Sequence, residues 1–221
     1  MHNIVLVTTA HDEKGNCNIK ELYNIIKKIK PEIIFEEIPP SVFYDFYEDG
    51  NRSNLESSAI TMYLENYKCE HIPVDLDYIP DKLFFNAYES MHRQIELRSN
   101  IYRNIIDKHS FYRGAYGFKY LNSIECVNLD KELNIEIKAV LRILNDKKMY
   151  EINKAWNDYM DKRENEMLKN IYRYSDKNEY NKGLLFIGSG HRDTIVDKID
   201  NYPLMGNVVL NWNYSNYENI I

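Results

Sequence analysis

The stretch Lys182–Ile195, KGLLFIGSGHRDTI, decides how the chain is expected to fold. Its four consecutive apolar residues, Leu184–Ile187, predict a short strand buried on both faces, as in a parallel sheet. Gly188-Ser189-Gly190 then turns the chain, and helical periodicity begins at Arg192. Ligands of open α/β sheets bind where strands end and helices begin. His191 therefore stands where a metal ligand or a proton-transfer group is expected.

Other segments predict strands that join the same sheet. Ile4–Thr9 and Ile33–Phe35 are apolar and β-branched, and the helix between them is expected to begin after an Asn18 cap. This strand–helix–strand unit is expected to be parallel and right-handed. Glu70–Val74 predicts a third strand and Asn207–Leu210 a final one.

The chain of 221 residues is predicted to form a single α/β domain, residues 1–221, with a mainly parallel central sheet flanked by helices. Residues 82–177 read as mostly helical and form an insert between the third and later strands. The content of 44% hydrophobic and 28% charged residues is that of an ordinary globular protein.

Composition also excludes some classes of function. A net charge of −6 argues against a nucleic-acid-binding protein, which neutralises phosphates with basic side chains. No apolar run is long enough to cross a membrane, and the first residues lack the basic flank of a secretion signal. The three widely spaced cysteines, Cys17, Cys69 and Cys126, are typical of reduced thiols. We therefore expect a cytoplasmic protein without membrane or nucleic-acid partners.

Polar side chains follow each predicted strand. His11 follows the first, Glu36 or Glu37 the second, and His191 the strand quoted above, while Asp75 follows the third. The carboxyl ends of parallel strands meet at one sheet edge, so these groups are expected to lie together. Two neutral imidazoles and a carboxylate form a common catalytic metal set. Without a metal, the same groups can share acid–base work on a water.

Other patterns are weaker. Considered alone, Lys162–Glu166 is typical of a solvated helix face. Glu89 and His92 have the spacing of a di-iron ligand pair, but only one copy is present. The Gly188-Ser189-Gly190 turn lacks the third glycine of a dinucleotide loop, and Ser189 lacks the flanking pattern of a serine nucleophile.

Four short motifs together resemble a known superfamily. Arg163-Glu164-Asn165-Glu166-Met167, followed by Leu185–His191, looks like the paired signature of the TraB/Tiki/erythromycin-esterase/ChaN-like superfamily. Its first-strand GxxH motif is matched by Thr8-Thr9-Ala10-His11, and its second-strand glutamate by Ile34-Phe35-Glu36. Nothing between Ser41 and Tyr159 is matched.

The resemblance implies a hydrolase that cleaves an amide or ester bond in a peptide or small-molecule substrate. The implied site is lined by His11, Glu36, Arg163 and His191. His11, Glu36 and His191 would hold a divalent metal (Mn, Co, Zn or Fe), and Arg163 would stabilise an oxyanion or anchor a substrate carboxylate. Supporting positions are Asp75, Glu37 and Glu164. Glu36 is preferred to Glu37 because it aligns with the motif, and alternation would then direct Glu37 to the opposite side.

One departure leaves a second function open. Thr8 stands where the superfamily usually has glycine, which implies either a different turn, with the Thr8 hydroxyl near the site, or a non-catalytic copy. The alternative is a protein that binds haem, a metal or a small ligand in the same pocket without turnover. The Tyr- and Arg-rich helical insert is also a candidate partner interface, including one between copies in a homo-oligomer.

Overall fold

The computed structural model describes residues 1–48, 52–202 and 208–214. Within these residues, five strands form one sheet in the order β3-β2-β4-β1-β5, and every neighbouring pair is parallel. The α/β prediction with a mainly parallel sheet is therefore confirmed. The strands are β1 His2–Thr9, β2 Ile33–Glu36, β3 Glu70–Pro73, β4 Lys182–Gly188 and β5 Leu210–Asn213.

Helices flank the sheet, and four of them, α4 to α7, lie between β3 and β4, where the sequence predicts an insert. Two 3₁₀ turns, Pro40–Val42 and Ser189–His191, complete the described elements. None of the described helices is both long and apolar enough to span a bilayer. The helices are α1 Ile19–Ile29, α2 Phe43–Tyr47, α3 Leu55–Leu64, α4 Lys82–Glu96, α5 Asn100–Leu121, α6 Ile124–Leu144, α7 Lys147–Ser175 and α8 Arg192–Asp200.

The centre of the sheet is apolar on both faces. Val5 and Val7 of β1 belong to a core cluster with buried residues of α1 and α3. Ile4 and Leu6 belong to a second cluster with α7 and α8. Because side chains alternate along a strand, one apolar run supplies both clusters. Each fully buried aliphatic side chain contributes about 1.5–3 kcal/mol, so this pairing of β1 with β4 anchors the strand ends that follow it.

The last strand differs from its prediction. The structure forms β5 at Leu210–Asn213, and Val209 lies before it with 52% of its surface exposed. Asn207, the predicted first residue, lies outside the described residues. Leu210 and Trp212 pack on the second core cluster, whereas Asn211 and Asn213 are exposed. An edge strand with one solvent-exposed face alternates apolar and polar residues. The strand therefore forms in the alternating segment Leu210–Asn213 and not in the apolar run from which it was predicted.

Thr8 joins the sheet to the helical insert. Its backbone N–H donates to Asn122 Oδ1 at 2.8 Å, and its hydroxyl donates to the Leu121 carbonyl at 2.6 Å. Asn122 Nδ2 donates back to the Thr8 carbonyl at 2.9 Å. Thr8 is completely buried and has no positive φ, and its hydroxyl is directed to Leu121 of the insert. The threonine at the motif's glycine position therefore docks the insert.

A glycine kink makes a second junction between sheet and insert. Gly117 interrupts α5 with φ 55° and ψ −135°, a backbone conformation that other residues rarely adopt. A Cβ at Gly117 would lie 2.5 Å from the Asn16 carbonyl oxygen, in the loop after β1. The loop that carries His11 is thus packed against the kink.

We expect Gly117→Ala to lower the free energy of unfolding by about 2 kcal/mol or more, because it adds backbone strain and a backbone clash. Urea denaturation followed by circular dichroism would measure the change. Gly190→Ala is the matched control, since a Cβ there meets nothing within 4 Å and φ is not positive. Equal stability of the two variants would contradict this account of the kink.

Candidate active site

The candidate site lies at the carboxyl edge of the sheet, beyond the ends of β1, β2 and β4. His11 follows β1, Glu37 follows β2, and His191 ends the 3₁₀ turn after β4. Asp75 follows β3, and Arg163 reaches this edge from the long helix α7. Residues far apart in the sequence meet here because parallel strands present their carboxyl ends on one side.

Arg163 is the hub of this arrangement. Its Nη2 donates to Glu37 Oε1 at 2.5 Å and to Asp75 Oδ2 at 2.7 Å, and its Nε lies 3.1 Å from both Asp75 oxygens. The side chain is only 15% exposed. Burial opposes its charge, but Glu37 and Asp75 outweigh this and raise the pKa of Arg163 above its usual value. Arg163 therefore stays charged and is held in one orientation.

His191 is buried between two carboxylates. Its Nδ1 lies 2.7 Å from Glu164 Oε1, and its Nε2 lies 3.3 Å from Glu37 Oε1. Thr194 and Lys198 also donate to Glu164, at 2.6 and 2.9 Å. Burial disfavours the charged imidazole, but Glu37 and Glu164 outweigh it and raise the pKa of His191 to about 9. Near neutral pH this histidine is an imidazolium that donates from both nitrogens.

The structure assigns the central position to Glu37, not to Glu36. Glu37 accepts hydrogen bonds from Arg163 and, at 2.5 Å, from the Gly188 N–H. Burial alone would raise its pKa, but the charges of His191 and Arg163 hold the pKa of Glu37 well below its ordinary value. Alternation does separate the two glutamates, as predicted, and in the structure the one that contacts His191 is Glu37, whereas the motif alignment favoured Glu36 for the site.

Glu36 instead belongs to a neighbouring cluster. Its Oε2 accepts a hydrogen bond from the Tyr47 hydroxyl, and its Oε1 lies 2.8 Å from His71 Nδ1. Burial raises the pKa of Glu36 despite these two partners. Its side chain does line a small cavity beside His11, so it is close to the site without contacting Arg163 or His191.

His11 pairs with a residue that sequence reasoning missed. Its Nδ1 lies 3.2 Å from Glu56 Oε1, which also accepts the Thr9 hydroxyl at 2.6 Å. This hydrogen bond to Glu56 raises the pKa of His11 to about 9. The imidazole is 61% exposed, whereas Glu56 is 6% exposed. Glu56 Oε2 is buried and has no hydrogen-bond partner within the described part of the chain.

Two cavities meet at His11. A small one, of about 10 Å³, has room for roughly one water and is lined by His11, Glu36, Glu37, Asn54 and Glu56 among others. The larger one is an open cleft of about 680 Å³, a size suited to a small organic ligand. His11, Glu37, Asp75 and Arg163 line the polar part of this cleft, and Phe46, Phe85, Trp156 and Tyr159 line much of the rest.

The residues present do not fit the predicted divalent metal in this arrangement. A metal-binding imidazole needs a free nitrogen, but each nitrogen of His191 faces a carboxylate oxygen, at 3.3 Å from Glu37 and 2.7 Å from Glu164. Arg163 already supplies the cation between Glu37 and Asp75. Over residues 1–48, 52–202 and 208–214, no group of three or more His, Cys, Asp or Glu side chains is arranged so that it could hold a metal ion.

No protein-family model, curated protein or solved structure matches this chain. The resemblance to the TraB/Tiki/erythromycin-esterase/ChaN-like superfamily therefore stays a prediction based on four short motifs. Of the four residues it implied, His11, Arg163 and His191 lie around Glu37, and Glu36 borders the small cavity.

Signals for some of the missed residues exist in the sequence. Glu56 stands in the first turn of the helix predicted from Leu55, and that turn begins at an Asn54 cap beside His11. The Leu55 N–H donates to the His11 carbonyl at 3.0 Å, which brings the two segments together. No sequence pattern links Glu56 to His11 directly, because 45 residues separate them.

The raised pKa of His191 predicts a pH-dependent stability. The folded pKa of about 9 exceeds the ordinary 6.5, so the stabilisation is complete below about pH 6.5 and is lost as pH rises through 9. We expect the free energy of unfolding to fall by about 3 kcal/mol over this range. His191→Gln should make this fall smaller, with a remainder from His11, whose pKa is also raised to about 9. His92→Gln is the control, since burial lowers the pKa of His92 and keeps it neutral throughout. An unchanged slope in His191→Gln would refute the assignment.

Proposed function

We propose that the protein is a hydrolase of ester or amide bonds that activates water with Glu56 and His11 and needs no metal. The observation that supports this most is that Glu56, whose buried Oε2 has no hydrogen-bond partner in the described part of the chain, lines a cavity with room for about one water. A buried carboxylate oxygen without a partner costs about 1–3 kcal/mol or more, so a water there would satisfy it. Such a water would lie beside His11, which lines both the small cavity and the cleft.

The two side chains can divide the base and acid roles of this reaction between them. Glu56 accepts a proton as the water oxygen bonds to the substrate carbonyl carbon. His11, an imidazolium near neutral pH, gives its Nε2 proton to the leaving oxygen or nitrogen as the carbon–heteroatom bond breaks. Glu56 then releases its proton and His11 regains one, so the resting state returns without any net change in the protein.

Arg163 would stabilise the oxyanion that forms on the carbonyl. Glu37 and Asp75 occupy its Nε and Nη2, but among the described residues Nη1 has only the Met160 sulfur, at 3.6 Å, as an acceptor once His191 is protonated. A donor held rigidly and left without a strong acceptor suits a charge that develops in the transition state. Because its other donors are committed, anchoring a substrate carboxylate is the less favoured of its two predicted roles.

The location inferred for this activity is the cytoplasm. Cys17, Cys69 and Cys126 are free thiols, and Cys17 and Cys126 are buried, which is consistent with a reducing compartment. The resemblance to the erythromycin esterases supports the reaction class, and the binding protein without turnover is the alternative that the experiments must separate.

Replacement of either acid–base group should abolish hydrolysis. We expect Glu56→Gln and His11→Asn each to lower kcat/KM by about 10²–10⁴-fold on an ester or amide substrate, because proton transfer is lost. The exposed Glu21→Gln on α1 is the matched control and should hydrolyse at the wild-type rate. A panel of esters and peptides, assayed with and without EDTA, provides the measurement.

The pH profile and metal content test the roles assigned above. We expect kcat/KM to fall as pH rises through about 9, since His11 then loses the proton that it donates. A rise through the same range would make His11 the base instead. Stoichiometric Mn, Co, Zn or Fe that is lost in the His11→Ala, His191→Ala double variant would overturn the metal-free mechanism. A Soret band on haem titration without any hydrolysis would favour the binding protein.

A further inference from the structure

The cleft beside His11 has an apolar wall that is independent of the proposed chemistry. Phe85 of α4 and Trp156 and Tyr159 of α7 line it, and their rings pack on one another with centroids 6.2–6.3 Å apart. Tyr88 stacks on Trp156 at 3.8 Å with an angle of 11° between the rings, and fixes the wall from behind. Aromatic rings held in this way present flat apolar surface with little loss of freedom on binding.

A second group of apolar side chains comes from the segment after β2. Ile38, Pro39, Val42 and Phe46 line the same cleft, and α2, which carries Phe46, is held to the sheet through Tyr47 and Glu36. The helical insert and the β2 segment thus both contribute apolar lining. A ligand in a cleft of about 680 Å³ would be a molecule of small-drug size with most of its surface against carbon.

The charges that line the cleft are already paired. Arg163 is neutralised by Glu37 and Asp75, and His11 is paired with Glu56. Arg52 lies 3.4 Å from Asp45. Each cation of the described cleft lining already has a carboxylate partner, so an anionic ligand would add a negative charge to a set that is already neutralised, in the field of Glu37 and Asp75. Glu37 and Asp75 are themselves bound to Arg163, so a cationic ligand would have to compete with that arginine for them.

We propose that the cleft selects an uncharged substrate with a flat, aromatic body next to its ester or amide group. This inference rests on the proposed function for the reaction, but the binding preference is measurable without turnover. Aromatic packing supplies affinity, and the closed charge pairs supply discrimination against charged analogues.

Binding of three matched probes to the full chain tests the preference by isothermal titration calorimetry. The probes are 2-naphthamide, which is flat and uncharged, 2-naphthoate, which has the same rings and a carboxylate, and decahydronaphthalene-2-carboxamide, which is saturated. We expect 2-naphthamide to bind at least tenfold more tightly than either of the others. Tighter binding of the carboxylate, equal binding of all three, or no binding of any would overturn the proposal.

Variants locate the binding to this wall. Phe85→Ala should weaken 2-naphthamide binding about tenfold, because it removes one ring of the wall. Leu83→Ala on the same helix is the control, since Leu83 is 75% exposed and does not line the cleft. An unchanged affinity in Phe85→Ala would place the probe elsewhere and refute the site.

The failure of this proposal can be told apart from failure of the proposed function. Hydrolysis of methyl 2-naphthoate and of monomethyl naphthalene-2,6-dicarboxylate at equal kcat/KM would refute the preference and leave the hydrolase intact. Selective binding of 2-naphthamide by a protein that hydrolyses no ester or amide would refute the hydrolase and leave the preference intact.

Discussion

The candidate site depends on one buried ionic contact, that of Arg163 with Glu37 and Asp75. It ties α7, from the helical insert, to the ends of β2 and β3, and through Glu37 it reaches the Gly188 N–H at the end of β4. Buried charges are tolerated only when their partners are in place, and removal of one partner typically costs about 3–5 kcal/mol. The insert therefore cannot move away from the sheet edge without exposing or orphaning these groups.

This constraint divides the site into two parts with different properties. Around Arg163 and His191, each charged side chain has an oppositely charged partner in contact, so these side chains are held in place and their charges are paired. At His11 the imidazole is exposed, and Glu56 keeps one oxygen unpaired. Chemistry needs a group that can exchange protons with a ligand, so the open part at His11 is where we infer the reaction, and the closed part would orient and stabilise.

The insert supplies more than a cover for the sheet. Thr8 and Gly117 seat α5 against β1 and the loop that carries His11, which fixes the insert at the same edge as the site. From this position α4 and α7 contribute Phe85, Trp156 and Arg163 to the cleft. The docking at Thr8 therefore adds to the contacts of Arg163 in fixing the insert relative to His11.

By itself the sequence determined the order of the helices and the first four strands, the parallel sheet, and the edge at which His11, the glutamates after β2 and His191 were expected to meet. Those features follow from local periodicity and from the geometry of parallel strands, both of which are written in neighbouring residues. Only the tertiary structure decided that Glu37 replaces Glu36 beside Arg163, that Glu56 pairs with His11, and that Thr8 binds Asn122. Such pairings join segments tens of residues apart. They depend on how whole helices pack on the sheet, which a local sequence pattern does not indicate.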